Sequence, residues 1–540
     1  MKNEDMKKTA ITFRFHLQSA VCLLLMLPAM MACTVSVPES ATEAHRRARV
    51  LPDNADAVLP PNIAPLNFLI EEEGDRFVTC FSTRRGEQLV VSGKTLDIDI
   101  DDWHTLLAAA VGDTLWTDIY MSQDGRWTHF DRMANAVVAD SIDPYITYRL
   151  IRPSYVTYEE LTLNERSMSD FSERILYSNM ILSDGDNGQC INCHVPQRQG
   201  QSGRSLFHVR QAFGGTVFIG DGHARKVSLK TDSTLSAGVY PAWHPTENLV
   251  VFSVNETGQV FHTLDPQKIE VIDYASDLIV YHPSTDEVRS LGHTPSDYES
   301  FPTWSPDGHT LYYISAHHVQ QGDDIDADLD ANYQQLHYNI YSRSYDAATG
   351  LFGRARLVFN ADSLGKSAST PRVSPDGRWL LFSLADYGQF HIWHHSADLW
   401  ALDLTTGQAQ PLTDANSDAC ESYHSWSSNG RWMLYSSRRT DGNYTRLYLS
   451  YFDADGHAHR PLLLPQRRPQ FYGQFFRSYN AAEWMTHSLD VSMRTLEHVV
   501  SGSPAPVTYG GSALQQSEAE SAAIPHRTSN QSKHNVYENF

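Results

Sequence analysis

The 540-residue sequence predicts an all-β protein, with a small β-sandwich-like domain followed by a β-propeller and a C-x-x-C-H motif at their junction. Three observations predict it. A tight turn joined to a buried strand recurs four times between Tyr240 and Ser436, and such spaced self-similarity marks propellers and related arrays. The region before the motif holds short alternating apolar and polar runs bounded by turn residues. The chain also carries 59 Trp, Tyr and Phe residues, which favour strand-rich cores.

Residues 1–32 read as a signal peptide. Lys2, Lys7, Lys8 and Arg14 precede an apolar run from Ala20 to Ala32, too short for the roughly 20 residues of a spanning helix. Met30-Met31-Ala32-Cys33 resembles the bacterial lipobox, with Met30 where leucine is usual. That resemblance implies cleavage before Cys33 and a lipid on it; plain secretion and an uncleaved anchor are the alternatives. The expected location is the cell envelope, on the periplasmic side of the outer membrane, with the lipid as the only membrane contact. Residues 33–64 are polar and broken by Pro38, Pro52, Pro60 and Pro61, and are predicted to be a tether.

Residues 65–140 are predicted to form the sandwich-like domain. Its strands are Arg76–Ser82, Gln88–Val91, Leu96–Ile100, Leu115–Met121 and, after a Gln123-Asp124-Gly125 turn, Trp127–Phe130. One helix is expected from Asp102 to Ala110, capped by Asp101 or Asp102. Residues 141–204 read as a connecting segment that has helical character around Tyr158–Arg174 and carries the cysteine motif.

The repeats begin with Tyr240-Pro241-Ala242-Trp243, Phe301-Pro302-Thr303-Trp304, Thr370-Pro371-Arg372-Val373 and Tyr423-His424-Ser425-Trp426, each leading through a turn into an apolar strand. Pro306-Asp307-Gly308 and Pro375-Asp376-Gly377 are the clearest turns, where glycine supplies a positive φ. These residues resemble the TolB-type propeller repeat over residues 205–500. The resemblance implies four-stranded blades, six being expected and seven the alternative, with a partial blade around Phe207–Leu229 and closure by C-terminal or pre-motif strands. Spacings of 61, 69 and 53 residues between copies require long inserted loops. Residues 501–540 show no strand pattern and are expected to be a disordered tail.

Cys190-Ile191-Asn192-Cys193-His194 matches the c-type haem attachment sequence. Two thiols three positions apart can add to the two vinyl groups of one haem c, and the adjacent imidazole can ligate its iron. A four-ligand zinc site or an iron–sulfur cluster would need more cysteines than Cys33, Cys80 and Cys420 offer. For the sixth iron position His208 ranks first and Met180 second, with Met168 and His223 behind, and an open site stays possible. A histidine would lower the potential and a methionine raise it.

Other constellations are weaker. Cys80 and Cys420 read as separate buried thiols rather than as a disulfide. The acidic run Asp323, Asp324, Asp326, Asp328 and Asp330 fails the EF-hand pattern, since Leu329 and Gln335 stand where Gly and Glu belong, and reads as a solvated insertion. Neither G-x-S-x-G nor H-E-x-x-H occurs. The formal charge of −22 disfavours nucleic acid as a partner.

The layout resembles bacterial cytochrome-like envelope lipoproteins. It implies electron transfer or redox sensing through one haem, with the propeller as docking surface for a redox or binding partner protein. The alternative is an envelope scaffold whose propeller recognises a protein or glycan and whose haem is structural. Catalysis, for instance peroxidase chemistry, would require an open iron site.

Overall fold

The computed structural model describes residues 36–152, 160–183, 189–262, 264–265 and 267–515, and the backbone of 535–537. Residues 1–32, expected to be a signal peptide, and Cys33 lie outside the described residues. Among those residues no helix is long and apolar enough to cross a membrane.

Among the described residues six sheets, each with at least four strands in antiparallel pairing, form a ring and make a six-bladed propeller. Blade 1 comprises Ile191–Pro196, Ser205–Val209, Gly215–Gly220 and His223–Ser228. Blade 2 runs from Val239–Trp243 to Glu287–Ser290, blade 3 from Asp297–Trp304 to Arg356–Phe359, blade 4 from Ser367–Val373 to Gln408–Pro411, and blade 5 from Glu421–Trp426 to Leu462–Leu463. The first strand of each blade neighbours the first strand of the next.

Blade 6 closes the ring with strands from both ends of the propeller sequence. Its inner strand is Ser478–Met485, and its outer three are Tyr145–Ile151, Leu161–Ser167 and Glu173–Ser178. This corrects the connecting segment. Residues 145–178 are blade rather than linker, and the region expected to be helical around Tyr158–Arg174 holds two strands. Pairing of Leu161–Ser167 against Tyr145–Ile151 on one side and Glu173–Ser178 on the other decides the conformation, because tertiary pairing overrides weak local propensity.

Every inner strand carries a β-bulge at the same register, with one residue at positive φ: Cys193 54°, Tyr240 46°, Phe301 49°, Thr370 48°, Tyr423 46° and Ala481 49°. A bulge re-aims side chains and steepens local twist, which bends each inner strand around the propeller axis. The unfavourable φ of these non-glycine residues is therefore a property of the blade, held by six repeated ladders.

The N-terminal unit is β-rich as expected, built on one six-stranded sheet that includes Arg76–Ser82, Gln88–Ser92, Asp113–Gln123 and Arg126–His129. Leu96 and Ile98 are buried without forming the expected strand. The helix spans Ile100–Ala110, and its cap is Asp99, whose carboxylate accepts from the Asp101 and Asp102 backbone N–H groups. Insertion of Trp103, which donates to the Ile63 carbonyl at 3.0 Å and meets Phe81 edge-on, sets that start.

Two further expectations change. The tether folds from about residue 42 onward, since Ala48, Ala57, Leu59 and Ile63 belong to a core that continues into Trp432, Leu434, Leu447 and Tyr479 of blades 5 and 6. Part of the tail is ordered: Ala505–Pro506 and Thr508–Ser512 extend the outer edges of blades 1 and 2 in parallel pairing. Short edge additions of this kind cover otherwise open ladders. Between the second and third strands of blade 3, the acidic run forms a helix, Ile325–Asn332, capped by Asp324; Asp328 accepts from His318 and from the Gln321 backbone. Its carboxylates satisfy local donors.

Candidate functional site

The six inner strands surround a central cavity of about 260 Å³. Cys190, Cys193 and His194 all line it. The C-x-x-C-H motif is therefore not in a linker. It occupies the inner strand of blade 1, where Cys193-His194 takes the place of Tyr240-Pro241, Phe301-Pro302 and Thr370-Pro371 in blades 2 to 4. A sequence search for the propeller turn misses this correspondence, because blade 1 lacks the Pro-Asp-Gly signature after its inner strand.

His194 is buried, and neither of its ring nitrogens has a hydrogen-bond partner. Burial pushes its pKa down to about 4; the nearby Thr147 backbone opposes this without reaching hydrogen-bond geometry, and Arg149 and Arg372 reinforce it. The imidazole is neutral at physiological pH, the form in which histidine ligates metals. An orphaned polar side chain in a close-packed wall is rare in native proteins and points to an unsatisfied partner. Burial raises the Cys193 thiol pKa, against the lowering influence of Arg210 and Arg149. Cys190 is buried beside Ile191, Phe207 and Tyr177 at the edge of the same wall.

The remaining lining is aromatic, aliphatic and basic. Tyr240 and Phe301, bulge residues of adjacent blades, stack at 4.0 Å. A hairpin formed by Val250–Phe261 and Ile269–His282 extends from blade 2 and contributes Asn255, Thr257, Gln259, Phe261, Ile269 and Val271 to the wall. Its far end is strapped to blade 4: Glu270 accepts from Tyr387 at 2.9 Å and meets His394 at 3.2 Å, and Gln267 donates to Tyr387 at 2.6 Å. The long interval between the first two repeats thus becomes part of the cavity, a role invisible in a segment whose residues carry no motif.

The other sequence-derived candidates lie elsewhere. His208 pairs across the ladder from Asn192, but its side chain is buried against Thr216 Oγ1 at 3.2 Å and does not line the cavity; burial pushes its pKa down to about 3. Met180 is 51% exposed in a turn after blade 6, Met168 is buried beneath the N-terminal unit, and His223 is exposed on an outer strand. Cys80 and Cys420 are free thiols in separate cores. The histidine that sequence reasoning passed over is His424. It holds the register position of His194 in blade 5, lines the cavity and meets the Leu381 carbonyl through Nε2 at 3.1 Å, while its Nδ1 has no partner. Its signal was present in the fourth repeat, where His424 stands in place of proline.

Two thiols and a neutral imidazole on one wall are the donor set that a covalently attached haem would use. A porphyrin brings four nitrogens to its iron, so the chain would need to supply one or two ligands, of which His194 would be one. Among the described residues no group of three or more His, Cys, Asp or Glu side chains could hold a bare metal ion.

No family model matches the chain, and no curated protein matches it. Among solved structures, an oligogalacturonate lyase from Vibrio parahaemolyticus is 12% identical with a TM-score of 0.30, covering 71% of this chain and all 100% of that one. Prolyl oligopeptidase B from Galerina marginata is 10% identical with a TM-score of 0.33, covering 75% of this chain and 54% of that one. A puromycin-hydrolyzing peptidase from Mycobacterium tuberculosis is 12% identical with a TM-score of 0.33, covering 79% and 57%. At these scores the propeller stands on its six closed blades, and no chemistry passes from these proteins to this one.

Proposed function

We propose that the chain is an exported, lipid-anchored c-type cytochrome of the cell envelope. One haem is held in the propeller's central cavity by thioether links to Cys190 and Cys193 and by His194 on its iron, and it serves electron transfer or redox sensing toward a partner protein. The observation that supports this most is the meeting of all three motif residues on one cavity, with both ring nitrogens of His194 unpartnered.

When bound, the haem supplies a one-electron couple. The chain's own residues do the rest. Burial keeps His194 neutral and able to donate a lone pair. Tyr240, Phe301, Tyr423 and Trp393 supply flat apolar surface. The strapped hairpin of blade 2 adds Phe261, Ile269 and Val271 to the same wall. Covalent tethering would retain the cofactor without a deep apolar pocket.

The test is to express the full chain with haem-maturation machinery and stain a denaturing gel for haem. The wild type is expected to stain, with a thioether-type absorption spectrum, and the Cys190→Ser/Cys193→Ser variant to be colourless. An unstained wild type refutes the proposal.

A further inference from the structure

The hairpin that walls the cavity outruns its own blade. The inner strand Val239–Trp243 pairs only with Val250, Val251 and Ser253, so beyond that point no strand of the blades covers the outer edge of Val250–Phe261. Its inner edge is paired along the full length with Ile269–His282. That second strand is held in turn: Tyr274 donates to Asp330 on the helix of blade 3, and Gln267 and Glu270 bind Tyr387 of blade 4. A strand edge beyond the reach of its sheet is a template for one more strand.

The chain's own C-terminal segment supplies that strand. Asn535–Tyr537 pairs in parallel with Gln259–Phe261, placing Asn535 opposite Gln259, Val536 opposite Val260 and Tyr537 opposite Phe261. Valine and tyrosine are residue types that favour extended strands. Gln259 and Phe261 line the cavity, so the added strand lies on the backbone of the cavity wall itself. The earlier tail strands, Ala505–Pro506 and Thr508–Ser512, lie on the outer edges of blades 1 and 2. The tail thus starts at the rim of the propeller and ends at its central cavity. Nineteen residues connect Gln515 to Asn535, and they can span up to about 65 Å.

We infer that the Gln259–Phe261 edge is a docking site for an extended peptide strand, that the segment around Asn535–Tyr537 is its intramolecular occupant, and that this docking restricts entry to the central cavity. Backbone pairing supplies the affinity in such strand addition. Three register pairs make a short ladder, and short terminal elements open at low cost, so the tail can dock and release. When docked it makes the hairpin three-stranded and fixes that wall; when released, the hairpin keeps only its ties to blades 3 and 4. The inference needs the edge and the cavity alone and does not depend on the haem reading.

The experiment compares the full chain with one ending after Gln515 and with a Val536→Pro/Tyr537→Pro variant. Neighbouring amides of a strand point to opposite edges, so one of the two prolines removes a ladder donor. A fluorescent peptide of residues 531–540 is titrated into each chain and followed by anisotropy, and hydrogen exchange is read over residues 256–262. The peptide is expected to saturate the truncated and proline chains at one site. It should bind the full chain at least about tenfold more weakly, because the tethered copy competes at an effective concentration on the order of 1 mM. Exchange at Gln259–Phe261 should be at least about tenfold faster in both variants and return to the full-chain rate when peptide is added. In chains made without haem-maturation machinery, iodoacetamide should alkylate the cavity-lining Cys193 several-fold faster after truncation. A truncated chain that does not bind the peptide, or equal exchange in all three chains, overturns the docking site. Equal alkylation of Cys193 in full and truncated chains overturns the control of entry.

Discussion

If His194 is kept for a ligand and not for packing, replacing it with leucine should stabilise the haem-free chain. The two ring nitrogens lie buried with no hydrogen-bond partner. A buried polar group left unsatisfied costs about 1–3 kcal/mol, and an apolar side chain of similar size does not incur that cost. One kcal/mol moves the melting temperature by about 2–4 °C for chains of 150–250 residues and by about 1 °C for one of roughly 500, so a rise of about 1–3 °C is expected. The assay is thermal unfolding of the full chain made without haem-maturation machinery, wild type against His194→Leu. In the loaded protein the same substitution should act in the opposite direction, removing the iron ligand and altering the absorption spectrum. Opposed signs in the two states are the signature of a residue whose stability has been given up for binding. A leucine variant that melts lower than wild type in the haem-free state would refute the reasoning, and would mark His194 as a structural hydrogen-bonding group directed at the Thr147 carbonyl.

Two other outcomes follow from the blades themselves. Asp273 is buried, and burial pushes its pKa up to about 7 against the lowering effect of hydrogen bonds from Tyr338, at 2.7 Å, and Ser276. Between about pH 4 and 7 the native state then holds a proton that the unfolded chain has released, so this carboxyl's contribution to stability falls as pH rises. Asp273→Asn should therefore gain on wild type by an order of 2–4 kcal/mol between pH 4 and 8, read from melting curves across that range; parallel curves would exclude it. Ending the chain after Arg477 removes the inner strand of blade 6 with its buried Tyr479, Trp484 and Met485. The truncated chain is expected to be protease-sensitive and unable to melt cooperatively, and a resistant, cooperative product would show that the ring closes without that strand.

The repeats were legible because their information is local. A turn that needs glycine at positive φ, followed by a continuous apolar strand, recurs whatever the rest of the chain does, and blades 2 to 5 lie where those signals stand. The strand Arg76–Ser82 was equally readable from its own composition. Blade 6 was not, because its inner strand and its outer three are separated by about 300 residues, and no local pattern records which distant ladder a strand will join. The same reason explains the misplaced helix around Tyr158–Arg174 and the cap at Asp99, where several nearby aspartates could each serve and the seating of Trp103 decides.

The sequence by itself determined the chemistry available at Cys190, Cys193 and His194, since the spacing of two thiols and an imidazole is a covalent property of the chain. It also determined the propeller, through repeated turn and strand signals. Only the tertiary structure decided where that chemistry sits. Ring closure turns the motif's strand inward at the shared bulge, brings Arg149, Arg372 and His424 from other blades onto the same cavity, and carries His208 and Met180 away from it. Burial and the fields of those arginines depend on groups far apart in sequence, so the state of His194 could be read only once the six blades had closed.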